Sequence, residues 1–252
     1  MQQLPDPVFP PLLTGHPVNV PLSPFEEACR RANCGELGAG DLLWSRNSKR
    51  AECAVILEPE IPLRRAVQMG PLVQVALADC LGALLPPRVG VHFRWPATLL
   101  LNGAQAGETW IRASSGRRDE VPEWLVVGFT LWLAHDFGGK EPGEALSETS
   151  FAEEGAGELT RTDILQSFAA HFLTWLNMWQ DEGFRPVHES WIGRVEGREA
   201  PADIVHRDER VRGRVLGLNE EAELLVSIGP GATRVLPLLD ALEFWAPEQA
   251  AP

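Results

Sequence analysis

"FRWPATLLLNGAQAG", from Phe93 to Gly107, is the stretch on which the fold turns. Asn102-Gly103 is the strongest short-range hairpin signal, because both central positions of a type I′ turn need φ > 0. Two strands therefore flank it. Upstream, a proline cannot donate to a sheet ladder, so the strand "VGVHFRW" (Val89–Trp95) must break at Pro96 or lie at an edge there. The chain stops a strand, presents Trp95 and turns back, which is how a binding-site wall behaves; a tryptophan closing off a core fits the same pattern.

Elements on both sides extend the reading. Ser23-Pro24 with Glu26 opens a helix: serine as N-cap, proline in the first turn and a glutamate at the capping-box position. That helix is expected to run through "PFEEACRRANCGELG" to Gly38. "GDLLWSRN" and "AECAVILEP" read as strands joined by the polar loop Arg46–Arg50. "PLRRAVQMGPLVQVALADCLGALL" reads as one long buried helix, with Gly70-Pro71 as a kink. "EWLVVGFTLWLA" completes an antiparallel run with the hairpin. A Gly- and Glu-rich loop then leads into "TRTDILQSFAAHFLTWLNMWQDEG", whose apolar residues recur at helical spacing and which ends at Gly183. A short helix, "RPVHESWIGR", follows, and from about Val195 short strands divided by Gly, Asn and Pro suit a small barrel packed on the larger unit.

Composition bounds the function classes. The chain has 252 residues, 44% of them apolar, and 9 tryptophans, enough for a substantial core. Its net charge of −13 is uneven: residues 1–140 carry 13 basic against 14 acidic side chains, and residues 141–252 carry 9 against 21. Such a chain is repelled by phosphate backbones, so nucleic acid is not an expected partner. Lysine occurs only at Lys49 and Lys140. No run of 18 uncharged apolar residues occurs and the Pro-rich N-terminus lacks signal-peptide order, so neither a membrane partner nor export is expected and the location expected is cytoplasmic. Cys29, Cys34, Cys53 and Cys80 have no paired CxxC spacing and read as free thiols, and neither HExxH nor GxSxG occurs. No metal site is expected.

The order of these pieces resembles the biotin/lipoate–protein ligase family, from about Leu22 to Phe244. "FRWPATLLLNGAQAG" is similar to the family stretch in which a basic residue and Trp-Pro precede Asn-Asp, a hairpin and Lys-x-x-Gly. "WLVVGFTLWL" is similar to its strand with a Gly-x-Gly step followed by Asn, "GFRPVHESWIGR" to the end of its catalytic domain, and "RVRGRVLGLNEEAELLVSIG" to its C-terminal SH3-like module. The resemblance implies an α/β fold of the α+β type, a mixed, mainly antiparallel sheet with packed helices over 1–193, and a small SH3-like β-barrel over 194–252. It implies a chemistry in which ATP, magnesium and biotin or lipoate give an acyl-adenylate that is passed to a lysine of a biotinyl or lipoyl carrier domain.

Set against that pattern, the charged parts are altered. The family's lysine falls on Gln105, or on Ala104 with a different gap; its Asn-Asp is Ala97-Thr98; its glycine-arginine loop shrinks to Arg46–Arg50 without a glycine; and the Asn after the Gly-x-Gly step is Trp132. Losing one preorganised stabilising group typically costs about 10²–10³ in rate, and here several go together. The expectation is a divergent member that binds the acyl group or its carrier without standard adenylation; the alternatives are an active ligase with Lys49 or Arg94 as substitute cation, an ATP-independent acyl transferase, or a regulatory protein whose pocket its own tryptophans fill. The expected ligand-binding residues are Arg46, Asn47, Lys49, Arg50, Arg94, Trp95, Gln105, Gly107, Gly128, Thr130 and Trp132. Cys53, three residues after the basic pair Lys49-Arg50, is a candidate nucleophile whose thiolate those cations would favour.

Overall fold

A computed structural model describes residues 4–134, 147–207 and 209–242. In chain order the elements are β1 (Thr14–Val18), α1 (Pro24–Asn33), β2 (Asp41–Ser45), β3 (Arg50–Leu57), α2 (Leu63–Ala66), α3 (Met69–Leu84), β4 (Val91–Arg94), β5 (Thr98–Leu101), β6 (Ala104–Ala113) and β7 (Leu125–Trp132). Then come α4 (Arg161–Glu182), α5 (Arg185–Ile192), β8 (Ala202–His206), β9 (Glu209–Leu218), β10 (Leu224–Gly229), β11 (Ala232–Leu236) and a 3₁₀ turn (Leu238–Ala241).

The first seven strands form one sheet in the order β1-β2-β3-β7-β6-β5-β4, antiparallel except for the parallel β1–β2 pair. The hairpin is as the sequence demands: Asn102 and Gly103 have φ of 49° and 90°, and Leu101 pairs with Ala104. β4 ends at Arg94, one residue before Trp95-Pro96, so the proline breaks the strand. The break is pinned by Gln74, whose amide donates to the Pro96 carbonyl at 2.9 Å and to the Thr109 hydroxyl at 3.2 Å, while its oxygen accepts from the Trp191 indole at 2.6 Å. One buried amide therefore ties α3 to the turn-back and to α5.

Three expectations are refined. The long apolar helix is two: α2 ends at Ala66 and α3 starts at Met69, so the interruption lies just ahead of Gly70-Pro71. A proline in the first turn of a helix is well tolerated, which is why Pro71 sits near the start of α3 rather than kinking its middle. The stretch Leu63–Leu84 is long and apolar enough to cross a membrane by composition, but 72% of its most apolar window is buried in the protein. α1 stops at Asn33 rather than Gly38. Two strands escaped the sequence reading: β1, an edge strand with Pro17 in its middle, and β8.

α3 and α4 cover one face of the sheet, and α1 covers part of the other. α4 begins with a full capping box between Thr160 and Asp163. The C-terminal strands form a four-stranded antiparallel sheet, β11-β10-β9-β8. Its apolar residues Ile204, Val211, Val215 and Leu224 join the main core. The segment before it also closes the β4 edge: Phe93 N donates to Arg194 O at 3.0 Å, and Glu196 N donates to Phe93 O at 2.8 Å. Covering an edge in this way removes a row of open backbone groups.

Candidate functional site

Alternation along three neighbouring strands builds a second, uncovered face. Register places Arg50 opposite Trp132, Glu52 opposite Thr130, Thr130 opposite Glu108, and Gly128 opposite Trp110. Successive strand residues point to opposite faces, so these side chains share one side while Cys53, Phe129 and Leu131 share the other. α1 covers the far end of this face with Phe25, Ala28, Cys29 and Ala32. Beside the N-terminal turn of α1 a cavity of about 680 Å³ opens, floored by Arg50, Glu52, Glu108, Trp110, Thr130 and Trp132. Its walls are Val20–Ser23, Phe25 and Glu26 on one side and Ser45 and Asn47 on the other.

Two glycines let the strands beneath the floor pack closely. A Cβ on Gly128 would meet the Cys53 carbonyl oxygen at 2.4 Å, and one on Gly107 would meet the Thr130 carbonyl oxygen at 2.3 Å. Both are required by the close approach of neighbouring strands; neither lines the cavity.

The charges of the groove are arranged in pairs with one left over. Arg112 donates to Glu26 at 2.6 Å and lies 5.2 Å over the Phe25 ring. Arg50 stands 3.6 Å from Glu52. Glu108, half-buried, makes no side-chain hydrogen bond or ion pair within the described residues; burial pushes its carboxyl up from the ordinary glutamate value, and the more distant Arg50 charge only partly opposes this. Aromatic surface surrounds it: Trp110 is 40% exposed and tilts against Phe25 with ring centroids 6.0 Å apart.

Of the residues singled out from the sequence, Asn47, Arg50, Thr130 and Trp132 line this cavity. The others lie elsewhere. Arg46 pairs with Asp6 at 2.6 Å and lies 5.5 Å over Trp44. Lys49 is exposed on the loop, its amide held by the Asn47 side chain at 2.9 Å and its carbonyl accepting from Leu133 and Ala134. Arg94 pairs with Glu196 through its Nε at 2.5 Å. Trp95 is 6% exposed, belongs to the core and packs against His206 at 5.6 Å, so it closes off the core and does not wall the groove. Gln105 is half-buried; its main chain donates to Ser147 O and accepts from Thr149 N, which seats residues 147–149 along β6.

Cys53 is a correction. Adjacency to Lys49 and Arg50 suggested an activated thiol, but strand parity turns it to the helix-covered face, where it is 1% exposed. Desolvation and the neighbouring Cys80 push its pKa well above the ordinary thiol value. It is a core residue. Among the described residues no group of three or more His, Cys, Asp or Glu could hold a metal ion. Glu52, Glu108, Trp110 and Phe25 were missed from the sequence. For Glu108 and Trp110 the signal was the alternation in "GETWIRA" against "VGFTLW".

The profile of the biotin/lipoate A/B protein ligase family matches residues 9–193. The chain belongs to that family. A biotin–[acetyl-CoA-carboxylase] ligase of Paracoccus denitrificans is 25% identical over 183 residues, covering 73% of this chain and 75% of that one. The bifunctional ligase/repressor BirA of Bacillus subtilis (strain 168) is 22% identical, covering 72% of this chain and 55% of its own length. Among solved structures, a biotin protein ligase-like protein of unknown function from Silicibacter sp. TM1040 superposes with a TM-score of 0.83 at 33% identity, over 94% of this chain and 99% of that one. The biotin protein ligase of Aquifex aeolicus shares the fold, with a TM-score of 0.68 at 13% identity over 89% and 94% of the two chains. The mixed, mainly antiparallel sheet with packed helices is thus the fold of these ligases, and the small C-terminal sheet accompanies it.

Proposed function

We propose that this family member has given up acyl-adenylate formation. In this reading its groove binds a biotin- or lipoyl-type acyl group in the neutral, amide-linked form carried by a biotinyl or lipoyl domain. The Aquifex ligase has been solved with biotin and ATP, and such a complex brings a carboxylate and a triphosphate into one site. That demands fixed positive charge aimed at the reacting centre. The observation that carries the proposal is the charge found here instead: among the described residues Glu108 stands unpaired on the floor, and the one lining arginine, Arg50, already faces Glu52. The groove is open, which supports a ligand; it is acidic, which disfavours nucleotide and free acid alike.

A second reading, an active ligase with substitute cations, has one observation in its favour: Arg50 lines the cavity and Lys49 is free of any ion pair among the described residues. One assay separates the two. Incubation with ATP, magnesium and biotin, lipoate or octanoate should release no pyrophosphate above background, while biotinamide or lipoamide should give measurable heat on titration. ATP-dependent release abolished by Arg50→Ala or Lys49→Ala would establish the second reading instead.

A further inference from the structure

We propose that the groove selects its ligand by head-group charge and is built for an organic cation: an ammonium group on an apolar chain, seated against Glu108. This keeps from the reading above only a groove that binds without nucleotide; it changes the preferred head group from a neutral amide to a cation, and the probe order below decides between the two.

Charge matching is the first argument. Glu26 is matched by Arg112 and Glu52 by Arg50. Glu108 projects from β6 onto the same floor, half-removed from water, and among the described residues it makes no ion pair, the Arg50 charge acting on it only from further away. A carboxylate in that setting gains more from a cationic partner than a fully hydrated one does, since the desolvation is already incurred. A ligand ammonium supplies the missing charge.

The walls supply the second. Trp110, Trp132 and Phe25 line the cavity around the carboxylates, and Val20, Pro21 and Leu22 continue the apolar surface. Indole faces attract cations through their quadrupole and bury alkyl chains equally well. An anionic head group meets the opposite: among the described residues, three lining carboxylates and a single arginine engaged with one of them. The cavity, at about 680 Å³, falls in the range of small-molecule sites.

Three probes with one hydrocarbon chain test the idea on the full-length protein: hexylammonium, hexanamide and hexanoate, titrated at pH 7.5 with calorimetry and tryptophan fluorescence as readouts. The expected order of affinity is ammonium, amide, carboxylate. Glu108→Gln should weaken hexylammonium about tenfold, as loss of a charge-assisted contact does, and leave hexanamide within about twofold. Hexanoate binding as tightly as hexylammonium overturns the proposal, as does an equal effect of Glu108→Gln on hexylammonium and hexanamide, or silence with all three probes. The order of the three probes needs no variant, so a folding defect in Glu108→Gln leaves the test intact. If hexanamide binds and hexylammonium binds no better, the cation preference fails while the non-adenylating reading stands; pyrophosphate release with ATP sinks that reading on its own.

Discussion

The two faces of the seven-stranded sheet are made by alternate residues of the same strands, yet they follow different rules. On the face under α3 and α4, Val55, Val127, Phe129 and Leu131 are buried to 1% exposure or less against Phe168, Phe172 and Leu72. Polar groups there are few, and Gln74 among them is fully engaged. On the other face, beyond α1, Arg50, Glu52, Glu108 and Thr130 stand over a cavity, and Glu108 has no ion-pair partner among the described residues. The covered face is held by packing, where a lost methylene or an orphaned amide is felt at once. The open face is held by charge and is free to specialise. In a ligase family this is where a chain can exchange chemistry without losing its fold.

The comparison breaks most violently where the faces meet in the backbone. Gly128→Val would drive a Cβ to 2.4 Å from the Cys53 carbonyl oxygen and to 3.0 Å from Ala54 Cα, both main-chain atoms that cannot yield without parting β3 from β7. A loss of about 3 kcal/mol or more is expected, seen as insoluble expression or a collapsed urea midpoint. A variant within 1 kcal/mol of the parent would mean that the strands are not so tightly apposed.

Next in size is Gln74→Leu. The substitution keeps the volume but leaves the Pro96 carbonyl and the Trp191 indole N–H without partners in a buried setting. About 2–3 kcal/mol should be lost in urea denaturation. Combining it with Trp191→Phe should be non-additive, because the second change removes one of the groups that the first orphans. Strict additivity would show that the amide does not bridge α3 and α5.

Those two residues also mark what the sequence could and could not disclose. The hairpin, the break at Pro96, the N-cap of α1 and the end of α4 at Gly183 were legible because each depends on a backbone preference of one or two named residues. β1 was hidden, since Pro17 argues against a strand and only its parallel edge pairing with β2 makes room for it. Part of the site was legible by resemblance: Arg50, Thr130 and Trp132 were named, and they line the cavity. Glu52 and Glu108 were not, because the resemblance points to the family's lysine position at Gln105, whereas only the alternation aligns Glu52, Thr130 and Glu108 across three strands. Cys53 went astray for the related reason that nearness along a strand does not mean a shared face. Arg94 and Trp95 could not be placed from sequence at all, since their partners Glu196 and His206 come from 102 and 111 residues further on.

The smallest expected effect sharpens the comparison most, because its sign is reversed. On the covered face every polar substitution should destabilise; at Glu108, removal of the charge should stabilise. Burial raises the folded-state pKa of this carboxyl, so the folded protein binds that proton more tightly than the unfolded chain does. The favourable contribution is then fully present below the ordinary glutamate pKa and is lost as pH rises through the raised value. The groups facing it are Arg50 and Glu52 from β3 and Glu26 from α1, with Thr130 and Trp132 of β7 uncharged. Arg50 works against the shift and Glu52 partly cancels Arg50. Glu108→Gln should therefore raise stability at pH 7.5 by under about 1 kcal/mol, with the gain shrinking toward zero by about pH 4, measured as urea midpoints across that range. Hexylammonium should narrow the gap at pH 7.5, since a ligand that binds the folded parent more tightly than the variant stabilises the parent more. A Gln variant less stable than the parent at neutral pH would mean that Glu108 already has a partner within the protein, and the open face would then be as self-satisfied as the covered one.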